Sequence, residues 1–183
     1  MVTWRSRIAS GATLLATSLL SAAVAAEPLH FGPHDVTELF SISKSENKNE
    51  VVYAVHLDER CAPVGETPVF AFWRMHEKGP ASIEPLLARE EAAYGIASEH
   101  VLANGADGGS VDVALRALPK RHIVVKTQSQ GKACRAWSAL PIAGTDTYVY
   151  NIFVKLKTLG VDYILLSGWS TDGSRVIHEK VER

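Results

Sequence analysis

Long apolar runs are scarce in this chain, and so are cysteines, methionines and any excess of one charge. Outside the first 26 residues nothing approaches the roughly 20 consecutive apolar residues that a membrane-spanning helix needs. The chain carries 19 basic against 20 acidic residues, without a basic stripe, which argues against a nucleic-acid partner. No G-x-S-x-G elbow is present, and Gly105, Gly108 and Gly109 sit in a turn between strand-like segments rather than before a helix. Serine-hydrolase, P-loop and dinucleotide-binding readings therefore lack their signatures. No cofactor is called for. His30 and His34 lie four apart, but Gly32-Pro33 between them opposes the helix that would align them as metal ligands. Asn104, Asp107 and Asp112 lack the dense acidic alternation of a calcium loop, and a solvated turn is the better reading.

The two cysteines, Cys61 and Cys134, acquire meaning from the N-terminus. Arg5 and Arg7 precede an uncharged segment, Ile8–Ala25, that ends in small residues before Glu27. That is the layout of a cleaved signal peptide, residues 1–26, rather than of a retained anchor. Removing Arg5 and Arg7 leaves 17 basic residues facing 20 acidic ones, a net charge near −3 on residues 27–183. That length suits one domain, exported to the periplasm or secreted, with no transmembrane segment after cleavage. In such an oxidising compartment Cys61 and Cys134 are expected to form a disulfide.

The strongest local pattern is LFSISKSENKNEVVYAVHLD, residues 39–58. Phe40 and Ile42 alternate with serines, and Val51, Tyr53, Val55 and Leu57 alternate with Val52, Ala54, His56 and Asp58. A period of two places one set on each side of a strand. Asn47 and Asn49 mark the polar turn between the two strands. Pro68–His76 reads as a strand apolar on both faces, with Val69, Ala71, Trp73 and Met75 on one and Phe70 and Phe72 on the other, so both must be covered. The expected cover for the outer face is a helix over 83–94, capped by Ser82 and stopped by Gly95. Further strands follow, with a break at Pro119 and a hairpin signal at Asp172-Gly173. In the strand 147–157 the alternation places Tyr148, Tyr150, Ile152, Val154 and Leu156 on one side. About nine strands and one helix, without βαβ alternation, predict an all-β antiparallel domain: an up-and-down β-barrel or a two-sheet β-sandwich.

The hairpin of residues 39–58, PVFAFWRM, EEAAYGI and the closing VDYILLSGWSTDGSRVIHEKV together resemble a bacterial family known as domain of unknown function 4833. The resemblance implies an exported, single, β-rich domain and carries no activity with it. It also implies that the turn 44–49, Tyr53, Trp73-Arg74 and Tyr94 belong to the family pattern. Cys61 and Cys134 lie outside it.

Strand parity suggests one polar constellation. His56 and Asp58 share a face, as do Arg74 and His76, and antiparallel pairing would let Arg74 meet His56 or Asp58. An arginine behind aromatics suits a carboxylate or phosphate at the mouth of an apolar pocket; a weak ion pair at a strand end is the plainer alternative. Lys44, Asn47 and Asn49 supply donors at the turn, and Tyr53 lies beside them in sequence. Ser167-Gly168-Trp169-Ser170 reads as a strand end, and the aromatics, including Trp137, Tyr148, Tyr150 and Trp169, as core material first. These residues point to a non-enzymatic domain binding a small, partly apolar or amphipathic ligand or an envelope partner. Two alternatives stand beside it: a structural interaction module of the envelope using an exposed sheet edge or the polar hairpin turn, and an enzyme using Arg74 with His56 and His76.

Overall fold

The computed structural model describes residues 36–43, 49–76, 82–131, 133–157 and 160–182. The signal-peptide region, His30, His34, Lys44 and Asn47 lie outside the described residues. The strands are β1 Val36–Ser43, β2 Glu50–His56, β3 Val69–Arg74, β4 Ile83–Pro85, β5 Ile96–Gly105, β6 Gly108–Leu115, β7 Leu118–Gln130, β8 Ala133–Ile142, β9 Thr145–Lys157, β10 Gly160–Ser170 and β11 Val176–Glu182. One helix, α1, spans Ala88–Tyr94.

All eleven strands belong to one sheet, which forks at β9. The start of β9 pairs with β8 from Thr145↔Ile142 to Val149↔Ser138. Beyond that point the same edge of β9 accepts β1, in parallel, at Ser41↔Asn151, Ile42↔Ile152 and Ser43↔Phe153. The other edge pairs throughout with β10, and β10 with β11. Two wings therefore leave β9: β1-β2-β3-β4 and β8-β7-β6-β5. The parallel β1–β9 ladder overturns the all-antiparallel expectation. The sheet is mixed, and among the described residues no ladder closes it into a barrel.

The wings enclose the main core. Ile42, Val51, Tyr53 and Val55 from one wing meet Val111, Leu115, Ile123 and Val125 from the other, with Ile152, Ile164 and Leu166 of the hub between them, and each of these is fully buried. Burying such side chains stabilises by roughly 1.5–3 kcal/mol each. The far ends of the wings are tied together without backbone pairing. Cys61, after β2, is disulfide-bonded to Cys134 on β8, with Cα atoms 5.3 Å apart. Thr127 Oγ1 on β7 donates to the Cys61 carbonyl at 2.7 Å, and Glu99 on β5 accepts from the Val69 amide at 2.7 Å.

The helix is shorter than the sequence suggests. Ile83–Pro85 is instead the edge strand β4, paired with Phe72–Arg74. Pro85 disfavours helical backbone at Glu84, so helix begins only after it. The Glu90 carboxylate accepts from the Leu87 amide at 2.9 Å and satisfies one of the free donors of the first turn. The helix also covers the other face from the one expected. Tyr94 and Ala93 pack in the main core, where the Tyr94 ring meets Trp73 edge-on at 6.2 Å. The outer side of β2 and β3 forms a separate cluster, Val52, Ala54 and Phe72, flanked by Val36, Phe70 and Ile83.

Pro119 does not end its strand. The β6–β7 register jumps from Leu115↔Leu118 to Ala114↔His122, so Pro119 lies in a bulge where no amide donor is needed. At the β8–β9 turn, Ala143 has φ +49° and Gly144 φ +73°. Two successive positive φ values fit the turn that favours Asn-Gly. Replacing Ala143 with asparagine is expected to stabilise the fold by about 1 kcal/mol, since a left-handed alanine costs roughly that much. Urea denaturation of the two proteins measures it.

Candidate functional site

Register decides which polar side chains meet. β2 and β3 pair from Glu50↔Arg74 to Val55↔Val69. Arg74 therefore sits across from Glu50, at the opposite end of the ladder from His56, and the expected meeting of Arg74 with His56 or Asp58 does not occur. His56 stacks on Phe70, ring centroids 4.3 Å apart. Asp58 caps a turn instead, accepting from the Arg60 and Ala62 amides at 2.8 Å each. Asn49 is buried at the start of β2. Tyr53 is wholly buried on the inner face, donating to the Tyr94 carbonyl and stacked on Phe40 at 4.7 Å. Burial, with Glu91 nearby, pushes its phenol far up, so it stays protonated.

What the register assembles is a carboxylate–guanidinium cluster on the outer face. Arg74 bonds Glu50 at 3.1 Å and also pairs with Glu38, while His76 Nε2 approaches Glu50 at 3.4 Å. Burial pushes the Glu50 carboxyl up, but bonds from Ser41 and His76 and the charge and bond of Arg74 together hold it below the usual value. A depressed carboxyl contributes stability above its unfolded pKa, lost as pH falls through the folded one. Arg74→Ala is expected to cost about 1 kcal/mol at neutral pH, in the upper range for partly exposed pairs. The difference from wild type should shrink on acidification below the ordinary glutamate range, which thermal melts across pH would reveal.

Further along the same face, Asn151 on β9 donates to Ser43 Oγ at 2.8 Å and reaches Ser41 Oγ at 3.4 Å. Ser167 pairs with Asn151 across β9–β10, and its hydroxyl lies 2.9 Å from His178 Nδ1 on β11. A serine–imidazole pair invites a nucleophile reading, but a base needs a third group to orient it. Among the described residues no acid bonds His178. Elsewhere, Arg121 lines an open depression of about 310 Å³ with His122, Leu140, Pro141, Gly144 and Glu179. Its guanidinium is held bidentately by Glu179 and also bonds the Pro141 carbonyl at 3.1 Å, and His122 is 2.7 Å from Asp112.

The largest departure from the sequence reading concerns the aromatics. Along β10, Ser167 opposes Asn151 but Gly168 opposes Val149, so Tyr150 is an extra residue in a β-bulge. The bulge shifts the phase of β9. Val149, Ile152 and Val154 point into the core, whereas Tyr150 is 41% exposed and does not share their side. Trp169, opposite Tyr148, is 47% exposed. Trp137 meets Tyr148 edge-on at 6.3 Å, and Tyr150 lies 6.4 Å from Trp169. These four rings form a cluster on the outer face of β8, β9 and β10 rather than core.

A domain-of-unknown-function family, DUF4833, matches residues 40–180. The chain belongs to that family. No curated protein and no solved structure matches it. The DUF4833 match takes in both wings from Phe40 onward, the hub strands and every member of the aromatic cluster. Within this DUF4833 domain the disulfide pair stands at bonding distance, as the cysteine count suggested.

Proposed function

We propose that this DUF4833 chain is an exported, non-catalytic binding domain that holds a partly apolar ligand or envelope partner on the outer face of its sheet. The carrying observation is the exposure of Tyr150 and Trp169 beside Trp137 and Tyr148. Large aromatic rings left in water at the centre of a sheet face favour association, because their burial is what anchors interfaces. The main core offers no comparable space, since Tyr53, Leu115, Ile123, Ile152 and Leu166 pack it. Export is supported by the leader-like residues 1–26 and by the disulfide, which persists outside reducing compartments. Arg74 and His76 stand at the margin of this face. Glu38, the more exposed of the two partners of Arg74, is the one that a ligand carboxylate would displace.

The test places a photo-crosslinking amino acid at position 150 in cells and, as control, at the exposed loop residue Glu59. Native mass spectrometry of protein recovered from its envelope then reads the adducts. A discrete adduct from position 150 and none from position 59 is expected; no adduct from position 150 sinks the reading.

A second reading rests on β5. Among the described residues its ten residues pair with β6 alone, and they are mostly exposed, Leu102 at 59%. Such an edge offers donors and acceptors to a partner strand. Crosslinking from position 102 that returned monomer alone would exclude it.

A further inference from the structure

The composition of the outer-face cluster narrows its partner. Among the described residues, the large exposed apolar side chains elsewhere are the aliphatics Val64, Leu87, Val101, Leu102 and Leu156, whereas at this cluster they are Tyr150 and Trp169. Val176, Ala139 and Val124, which stand in ladder with these rings, are no more than partly exposed, so the exposed faces here are mainly aromatic and flat. The cluster also carries cations. Arg135, exposed on β8, has its guanidinium 5.6 Å from the Trp137 ring centre, and Lys126 on β7 is the direct ladder neighbour of Trp137. Among the described residues neither Arg135 nor Lys126 makes an ion pair. This contrasts with Arg74 and Arg121, whose charges are already met by glutamates.

The rings continue into a track along β9. After Tyr148 and Tyr150 come the amide of Asn151 with the Ser167–His178 pair, and then Phe153, whose ring lies 6.2 Å from Tyr163. Lys180 lies 4.4 Å above the Tyr163 ring at that end, its charge met by Glu182 at 2.5 Å. From Tyr148 to Phe153 the strand runs about 17 Å at roughly 3.4 Å per residue. Aromatic faces, then hydrogen-bonding groups, then aromatic faces again, with the unpaired cations at the Trp137 end, match a chain of pyranose rings. Each ring has an apolar C–H face, polar rims and, in acidic sugars, a carboxylate.

We infer that the platform of Trp137, Tyr148, Tyr150 and Trp169 binds an acidic polysaccharide, its sugar rings stacked on the aromatic faces and its carboxylates set against Arg135 and Lys126. This rests on the outer-face reading above and names its partner class. Arginine matches a carboxylate with two parallel hydrogen bonds, which a free guanidinium can supply.

The experiment titrates the full chain, disulfide intact, with an oligogalacturonate hexasaccharide and with neutral cellohexaose, following tryptophan fluorescence and heat. Oligogalacturonate should bind and shift the fluorescence, and cellohexaose should bind at least several-fold more weakly. Trp169→Ala should weaken binding about tenfold or more, as truncation of an aromatic anchor does, and Trp169→Phe should recover part of it. Arg135→Gln should weaken it several-fold, and salt should erase the preference for the charged sugar. Circular dichroism melts confirm that each variant folds. Silence with oligogalacturonate, equal binding of both sugars, or indifference to Trp169→Ala would overturn the inference. If the sugars are silent while position 150 still crosslinks in cells, only the glycan class falls; if both are silent, the outer-face reading falls too.

Discussion

Replacing Cys61 and Cys134 together with serine is expected to remove about 4 kcal/mol of stability, the chain-entropy value for a loop of this length. The bridge spans 73 residues of sequence and joins the loop after β2 to the first residues of β8. It is therefore a tie between the two wings, which among the described residues no backbone ladder joins at that end. Its surroundings are built to hold it. Cys61 has φ +64°, a backbone state that asparagine or glycine would adopt more easily, and its amide is fixed by the Asp58 carbonyl at 2.9 Å. Thr127 holds the Cys61 carbonyl from the opposite wing and also accepts from the Gly109 amide at 2.8 Å. At a few degrees per kcal/mol for a domain of this size, the melting temperature should drop by about 8–16 °C. Denaturant titrations of the wild type with and without reductant should show the same difference. A loss under about 1 kcal/mol would mean that the wings are held by their core alone.

That tie was legible in the sequence, because the leader-like N-terminus and the cysteine count together suggested it. The hairpins were legible too: β1–β2, the two-faced β3, and β10–β11 around Asp172-Gly173 each carry a period of two next to a turn signal. Asp172 accepts from the Ser170 hydroxyl at 2.6 Å and the Ser174 amide at 2.9 Å, which hold its carboxyl down to about 2. Register was not legible. Arg74 meets Glu50 rather than His56 because the loop 57–68 doubles back on itself through the Leu57↔Pro63 bridge, and nothing local fixes how much chain that consumes. Nor does alternation disclose a bulge. The run Tyr148, Tyr150, Ile152, Val154 is uniform in sequence, and one inserted residue divides it into a wet half and a dry half. The parallel β1–β9 ladder involves three pairs more than a hundred residues apart, and such non-local pairing leaves no mark on either segment. The helix was overextended because Ile83, Leu86 and Leu87 fit a helical face as well as they fit an edge strand and its exit; Pro85 decided against the helix.

Ile152→Ala is expected to cost about 3–4 kcal/mol, within the range for removing most of a buried isoleucine. Ile152 is wholly buried where the sheet forks: it pairs with Ile42 of β1 on one edge of β9 and with Leu166 of β10 on the other. Both partners are also fully buried, so the cavity is walled by side chains that ladders on either side prevent from collapsing into it. The effect should also spread in a particular way. Among the described residues the β1–β9 ladder has three pairs and is the one backbone ladder that joins the β1–β4 wing to the hub. Weakening it should raise amide hydrogen exchange in β1 and β2 more than in β6 and β7, whose ladders do not involve Ile152. Leu102→Ala, at an exposed position on β5, serves as the control and should change stability by less than about 0.5 kcal/mol. If exchange rose evenly through both wings, the fork would behave as one cooperative sheet. If Ile152→Ala cost no more than Leu102→Ala, the hub strand would not be what joins the wings.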